Sequence, residues 1–511
     1  MLNKDSLMWT IQFLQKHSDG DLFPKILEFD AIEEKAELLS DKLCSVDLSQ
    51  IEVGACRRFI VPKDEISYRQ ATQLDPQDSI ILSAILYQYG SQIESRRLSR
   101  DFVFSYRFAP AIEHGFYDDQ NMWNTFWRTA HTKSQPNKTV LYCDIADFYN
   151  QLYHHAIENQ LIESGLPNQE IKWIIKLLES TTAGVSRGIP VGPHAAHMLA
   201  EASMIPIDNS LRSQGVDFIR YVDDIIVFCE NENEAKIILS YIATTLDKQQ
   251  RLMLQRHKTK IYSADEFKTV CANMIEDRPI SAQEDSILKL INKYSNGDPY
   301  KVVFYGDVTE EDWNSITDDI VSSIILDYLS KPVIEFDRLR WFYRRLTQIG
   351  HPGGIDVSLA NIDRLAPCFA NVCMYLGAAQ KIPAEQWKNI GDKLLDLFQS
   401  GIVQSNEYFR LLLLSLFTKN PYINHFASLT RGYQRSEAFI RREIILAAKQ
   451  NRAVDWLREQ KESYIGMDSW QQMAYIFSIS DLPVEERKYF INRVVCSRPF
   501  MSVLSKWSKE Q

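Results

Sequence analysis

Apolar positions in the first 50 residues recur at irregular three- and four-residue steps (Leu7, Ile11, Leu14, then Ile26, Ile32, Leu38), a spacing that predicts helices. Between 57 and 107 short apolar pieces, FIVP and then SIILSAILYQYG, are interleaved with Arg57, Arg58, Lys63, Arg69, Arg96, Arg97, Arg100 and Arg107. From 138 to 230 the pattern reads strand, helix, helix, hairpin. The apolar run 140–143 is short and ends at Asp144, as a buried strand delivering a carboxylate at its tip would. Phe148, Leu152 and Ile157 follow at helical spacing, and IKWIIKLLES predicts a second helix. SRGIPVGP then breaks the chain with two glycines and two prolines before HAAHMLAEASMI. FIRYVDDIIVF sets apolar strands on either side of Asp223 and Asp224, which predicts a hairpin with both carboxylates at its turn. Beyond about 275 strand signals nearly vanish. SSIILDYL, FRLLLLSLF, SEAFIRREIILAAKQNRAVDWLREQ and QQMAYIFSI carry helical spacing, broken by Pro and Gly at 352–354, 383 and 421. No crisp repeat period is visible there, although paired helices of solenoid type stay open.

The pattern predicts an α+β protein in three parts: an N-terminal helical segment over 1–55, a mixed region over 56–275 and an α-helical domain over 276–511. A length of 511 residues fits two or three domains. The apolar share of 45% is that of an ordered globular chain. The opening run lacks a small-residue cleavage site, and no window reaches the roughly 18 to 20 apolar residues of a membrane span. These features predict a soluble, cytoplasmic protein with no membrane partner. Eight scattered cysteines show no zinc spacing and read as reduced thiols. The net charge of −10 sits badly with phosphate contacts unless a basic groove lies on an acidic molecule. The basic excess of 57–107 suits such a groove, and a solvated helix face accounts for it about as well.

The order of the acidic residues changes the picture. Nucleotidyl transfer uses two hard divalent cations about 3.5 to 4 Å apart, and such ions take converging carboxylates. Paired aspartates at a tight turn are common, because Asp favours turns for its own reasons. An apolar strand ending in Asp144, a Gly/Pro break and then an aromatic-x-Asp-Asp hairpin form a more specific series.

That series resembles the reverse transcriptases. LYCDIADFY resembles the family's first metal motif, with Tyr149 five residues after Asp144, where the family places the aromatic that blocks a ribose 2′ hydroxyl. RGIPVGP resembles the Gly/Pro motif under the template and incoming base, and YVDD at 221–224 is the family signature. LMLQRHKTKIY resembles the motif that brings a lysine, here Lys258, near the triphosphate. VPKDEISYR resembles the fingers motif in which Lys63 and Arg69 would grip the phosphates. These matches span 61–262 in the family's order. The resemblance implies fingers and palm of a right-hand polymerase over 56–275, with Asp144, Asp223 and Asp224 as catalytic metal ligands. Nucleotide contacts would come from Lys63, Arg69, Ile145, Tyr149, Val191, Gly192 and Lys258. It implies two Mg2+ ions, with Mn2+ as an alternative, dNTP substrates and a DNA product. Val191 stands where many members have Gln, which puts template handling in question.

No thumb, maturase or RNase H segment is recognisable after 275. A polymerase core with a long helical C-terminal region most resembles the bacterial abortive-infection and defence-associated reverse transcriptases of the AbiK type. That likeness implies antiphage activity and DNA synthesis that is RNA-directed or untemplated, with a noncoding RNA or RNA template as partner and homo-oligomerisation left open. Two other functions stand beside it: a conventional retron or mobile-element enzyme, and a retired polymerase core serving as a nucleic-acid-binding assembly protein. Retention of all three carboxylates and of the sugar-sensing aromatic speaks against retirement.

Two further groups have competing readings. His194, His197 and Glu201 could suggest a metal face, but packing of the helix after the Gly/Pro motif explains them better. Arg431, Arg435, Arg441, Arg442, Lys449 and Arg452 with Tyr433 and Phe439 suit single-stranded nucleic acid. Ion pairs to Glu437 and Glu443 on ordinary helices account for them nearly as well.

Overall fold

Among the described residues eight strands form: β1 (Arg57–Pro62), β2 (Tyr68–Gln73), β3 (Phe108–Ala111), β4 (Gly115–Tyr117), β5 (Thr139–Asp144), β6 (Phe218–Tyr221), β7 (Asp224–Cys229) and β8 (Lys260–Ser263). The computed structural model describes residues 1–118, 122–275, 278–296, 301–420, 422–423, 425–494, 496 and 498–511. Chain contacts divide it into two compact units, the first comprising 1–58, 71–277 and 496–503 and the second 59–70, 278–495 and 504–511.

The centre of the first unit is a four-stranded sheet in the order β6-β7-β5-β8, antiparallel throughout. Its strands are rich in Val, Ile and aromatic residues, which fit a pleated surface buried on both sides. On one face Val140, Ile219 and Ile226 pack against Phe126, Trp127 and Ala130 of helix Met122–Lys133 and Phe267 and Cys271 of helix Ala264–Ile275. The alternate side chains Leu141, Cys143, Ile225 and Val227 are equally buried. Helix Glu232–Gln250 contacts β5 and β7 and packs on helix Ala196–Ser213. Burial on both faces makes the sheet a rigid platform for whatever its strand ends carry.

The N-terminal residues are part of this unit, not a segment apart. Helix Lys4–His17 is capped by Asn3, whose Oδ1 accepts from Ser6 N at 2.7 Å. Its Trp9 and Phe13 stack into a cluster with Tyr87 and Phe116. The loop that follows lies directly on the Gly/Pro segment: His194 N donates to Asp19 O at 2.7 Å. A Cβ on Gly20 would fall 2.0 Å from the Gly192 carbonyl oxygen, so only glycine allows this approach. Residues 496–503 also return to this unit. Arg498 pairs with Asp75 at 2.6 Å and Asp78 at 2.9 Å, and Phe500 N donates to Gln77 Oε1 at 3.0 Å.

In the second unit no strand follows β8 among the described residues. Helices Phe336–Ile349, Phe369–Ala378, Glu407–Lys419, Ala438–Gln450 and Ser469–Ser478 each pack on the next. This ladder of alternate helices is the arrangement of a solenoid, whose members bury their apolar faces on sequence neighbours. The outer part of the β1–β2 hairpin belongs here as well. Phe59 meets Phe439 edge-on at 5.7 Å, and Asn406 Nδ2 donates to Ile60 O at 3.4 Å. The fold is thus α+β with a long helical C-terminal region, and the division at 55 and 276 expected from the pattern is crossed by residues 1–58, 59–70 and 496–503. No helix among the described residues is long and apolar enough to cross a membrane.

Candidate active site

β5 and β7 pair so that Asp144 and Asp224 are direct Cα partners at the end of the ladder. Opposed residues of an antiparallel pair project from the same face, with Cβ atoms about 4.5 to 5.5 Å apart. Asp223 occupies the turn between β6 and β7, and its carbonyl accepts from Ile145 N at 3.2 Å. Asp144 and Asp224, about 80 residues apart in the chain, therefore lie side by side at the end of the two central strands, with Asp223 in the adjoining turn. Asp144 accepts a hydrogen bond from Lys258 Nζ at 2.7 Å, and Asp224 accepts one from the Tyr142 hydroxyl at 2.5 Å. Burial, then the charges of Asp223 and Asp144, push the Asp224 carboxyl up to about 7. Burial opposes the charge of Lys258, but its hydrogen bond and attraction to Asp144 outweigh this and raise its pKa.

Hard, anionic oxygen donors are the ligands that divalent ions such as Mg2+ require. Lys258 already stands as a cation against Asp144. Among the described residues no set of three His, Cys, Asp or Glu side chains converges as a formed metal site, and here Asp144 and Asp224 are turned to Lys258 and Tyr142.

The turn is held by residues the sequence reading did not single out for this role. Val222 adopts φ 54, a left-handed conformation that a β-branched side chain rarely takes. Its N–H donates to Ser105 Oγ at 2.9 Å, and its carbonyl accepts from Arg220 Nη1 at 2.7 Å. Arg220 is fully buried and also bridges Asp208 at 2.7 Å and Glu201 at 2.9 Å. Glu201 further accepts from Arg97 at 2.7 Å and from the Ser105 hydroxyl at 2.5 Å. Burial alone would raise the Glu201 pKa, but Arg220 and Arg97 hold it below the usual range. The visible signal was Arg220 inside an apolar strand, with Glu201 and Asp208 two helical turns apart on one face. This network assigns Glu201 to structure instead of a metal face.

The other expected contacts are distributed as follows. Ile145 is buried beside the cluster and bridges Leu254. Val191 O accepts from Thr72 N at 2.8 Å. Gly192 has φ 132, and a Cβ there would meet Thr72 O at 2.9 Å. The segment 149–154 runs beside 186–189: Ile189 N donates to Tyr149 O at 3.0 Å and Gly188 N to Leu152 O at 2.7 Å. Tyr149 thereby links the first carboxylate motif to the Gly/Pro segment. Lys63 and Arg69 are exposed and lie in the hairpin portion grouped with the second unit.

Part of each basic stretch is taken up by internal partners. Arg97 and Arg107 are buried against Glu94 and Glu201 or Glu94, and Arg96 donates to Gln160 O and Ser164 Oγ, both at 2.9 Å. In the second unit Arg410 pairs with Glu437 at 2.5 Å and Arg442 with Glu443 at 2.8 Å. Tyr433 packs under Trp456 and Phe439 against Phe59, so these rings fill packing contacts instead of offering a stacking platform for bases.

The sequence profile described as "Reverse transcriptase (RNA-dependent DNA polymerase)" matches residues 61–283, just under half of the chain. None of the curated proteins compared matches the sequence. Among solved structures the chain is similar to apo telomerase from Candida tropicalis, with 9% identity over 71% of this chain and 70% of that one, at a TM-score of 0.35. Residues 61–283, which hold the strand-tip carboxylate, the Gly/Pro segment and the YVDD hairpin, are a reverse transcriptase domain, and the chain is an enzyme of the DNA nucleotidyltransferase class.

Proposed function

We propose that the chain synthesises DNA at the cluster of Asp144, Asp223 and Asp224, and that it does so in bacterial defence against phage. The observation that carries the catalytic part is the direct pairing of Asp144 with Asp224 across the ladder, with Asp223 in the adjoining turn. When bound there, two Mg2+ ions would activate a 3′ hydroxyl and offset charge on the leaving pyrophosphate. The residues of the chain supply the rest. Lys258, its side chain largely exposed and its ammonium paired with Asp144, is placed to move that ammonium onto a triphosphate oxygen. Tyr149 would stand against the sugar and exclude a 2′ hydroxyl. The defence role is supported by the solenoid-like helical region that follows the polymerase domain in place of any recognisable thumb or nuclease segment. That reading is compatible with an RNA template, a noncoding RNA among them, and with synthesis that uses no template.

The test is incorporation of labelled dNTPs by the purified chain with Mg2+, alone and with added primer and template. Asp223→Ala combined with Asp224→Ala should abolish incorporation while far-UV circular dichroism stays that of the parent. Full activity in that double variant refutes the assignment. Sequencing the nucleic acid that copurifies, together with phage plating on cells carrying either chain, separates a defence enzyme from a conventional one.

A further inference from the structure

The Tyr149 hydroxyl and His197 Nδ1 lie 2.6 Å apart, a hydrogen bond between a side chain of the first carboxylate motif and one on the helix after the Gly/Pro turn. The imidazole is itself held firmly. It stacks on Tyr106 with ring centres 3.9 Å apart and planes 5° from parallel. Tyr117 packs beside this stack, 5.0 Å from the Tyr106 ring and edge-on to the imidazole at 6.2 Å and 61°, and the Tyr117 hydroxyl donates to His194 O at 2.6 Å. Tyr149 meets the same imidazole edge-on, at 5.6 Å and 81°. Tyr149 is thus fixed at both ends, its carbonyl by Ile189 N and its hydroxyl by His197.

A ring that distinguishes sugars by a single oxygen must be placed to within a fraction of an ångström, since a displacement of about 1 Å is enough to undo selection of this kind. Phenylalanine would present the same blocking edge, so the phenol oxygen of Tyr149 has work only if something grips it. We infer that His197 is a positioning residue for Tyr149, and that the choice between deoxyribo- and ribonucleotides depends on this partly buried hydrogen bond. The inference rests on the reading of Tyr149 as the sugar-sensing ring. Burial, followed by the neighbouring His194, pushes the His197 pKa down to about 3, so the imidazole is neutral and the bond carries no charge at working pH. The packed stack of Tyr106 and Tyr117 supplies the stiffness that a lone hydrogen bond lacks.

The experiment compares kcat/KM for dTTP and for UTP on oligo(dT)·poly(rA) with Mg2+, using the full chain and four single variants whose thermal midpoints are recorded. His197→Leu, which roughly keeps volume and removes the hydrogen-bonding partner, should raise UTP use relative to dTTP by about tenfold, the worth of one net hydrogen bond. The change should appear mainly as a lower KM for UTP. His197→Asn, whose carboxamide places a polar atom near the position of Nδ1, should restore selection to within about threefold of the parent. Tyr149→Phe should reproduce His197→Leu, and combining the two should add nothing further. Equal losses for both nucleotides in His197→Leu, or no difference between the Asn and Leu variants, would overturn the inference. If His197→Leu folds poorly, Tyr149→Phe decides alone, and unchanged selection in that variant overturns it equally. Tyr149→Val separates the two levels: unchanged selection there refutes the sugar-sensing reading itself, whereas relaxed selection there with parental selection in His197→Leu refutes only the role of His197.

Discussion

Val222 sits at φ 54 between Tyr221 and Asp223, a backbone state that costs a β-branched residue on the order of 1 to 3 kcal/mol. It persists because Arg220 and Ser105 hold both its polar backbone groups. Arg220 is also a counter-charge of buried Asp208 and, with Arg97, of Glu201. Arg220→Met should therefore destabilise the chain by about 3 to 5 kcal/mol, the range for stranding a buried charge, as read by urea unfolding. A loss below 1 kcal/mol would show that the network does not hold the turn. Asp19 makes a second prediction. Its carboxyl is buried, with Ser79 Oγ donating to it at 2.6 Å, and burial raises its pKa from 3.8 to about 7. Because the folded state holds this proton more tightly than the unfolded one, its contribution is complete below the unfolded pKa and is lost as pH rises through the folded value. Asp19→Asn should flatten the stability profile between pH 4 and 7, measured by thermal unfolding; an unchanged slope would contradict the assignment.

At the scale of elements the sequence was most legible where periodicity and breakers agree. The run ending in Asp144, the Gly/Pro break and the YVDD hairpin appear as β5, the 186–193 segment and the β6–β7 pair, because each is fixed by local alternation and turn chemistry. The helices beyond 275 were legible for the same reason. The strands β3 and β4 were not, since four- and three-residue strands carry too few alternations to register. Nor was the return of 496–503 to the first unit, a contact more than 400 residues away along the chain that leaves no local pattern. There Arg498 spans two aspartates whose side chains are each 1% exposed, next to Gly54, where a Cβ would strike both Arg498 and Asp75. Arg498→Ala should lower stability by about 3 kcal/mol, because Asp75 and Asp78 lose their shared cation in a dry setting. Adding Asp78→Asn should recover part of that loss, since burial already pushes the Asp78 carboxyl up to about 8. Additive losses in a double-variant cycle would contradict this coupling.

For the molecule as a whole, charge was the least informative feature. A net charge of −10 and two arginine-rich stretches gave no map of a phosphate groove, because Arg96, Arg97, Arg100, Arg107 and Arg442 pair with carboxylates of the chain itself. What the sequence could not display is that the outer half of the β1–β2 hairpin, with Lys63 and Arg69, belongs with the helical unit. Arg340 donates to the Lys63 carbonyl and, at 3.1 Å, to Pro367 O, tying the hairpin tip to those helices. Arg340→Ala should loosen that tie, read as faster amide hydrogen exchange over residues 63–68, and unchanged exchange would contradict it. The most direct test of the account as a whole is Mn2+ binding followed by electron paramagnetic resonance in the parent chain and in Asp144→Asn and Asp224→Asn. Opposed carboxylates sharing one site require that either substitution alone weaken binding by at least about 100-fold, more than loss of an outer partner causes. Parental Mn2+ affinity in either variant would contradict the central claim that β5 and the YVDD hairpin build a single metal-binding centre.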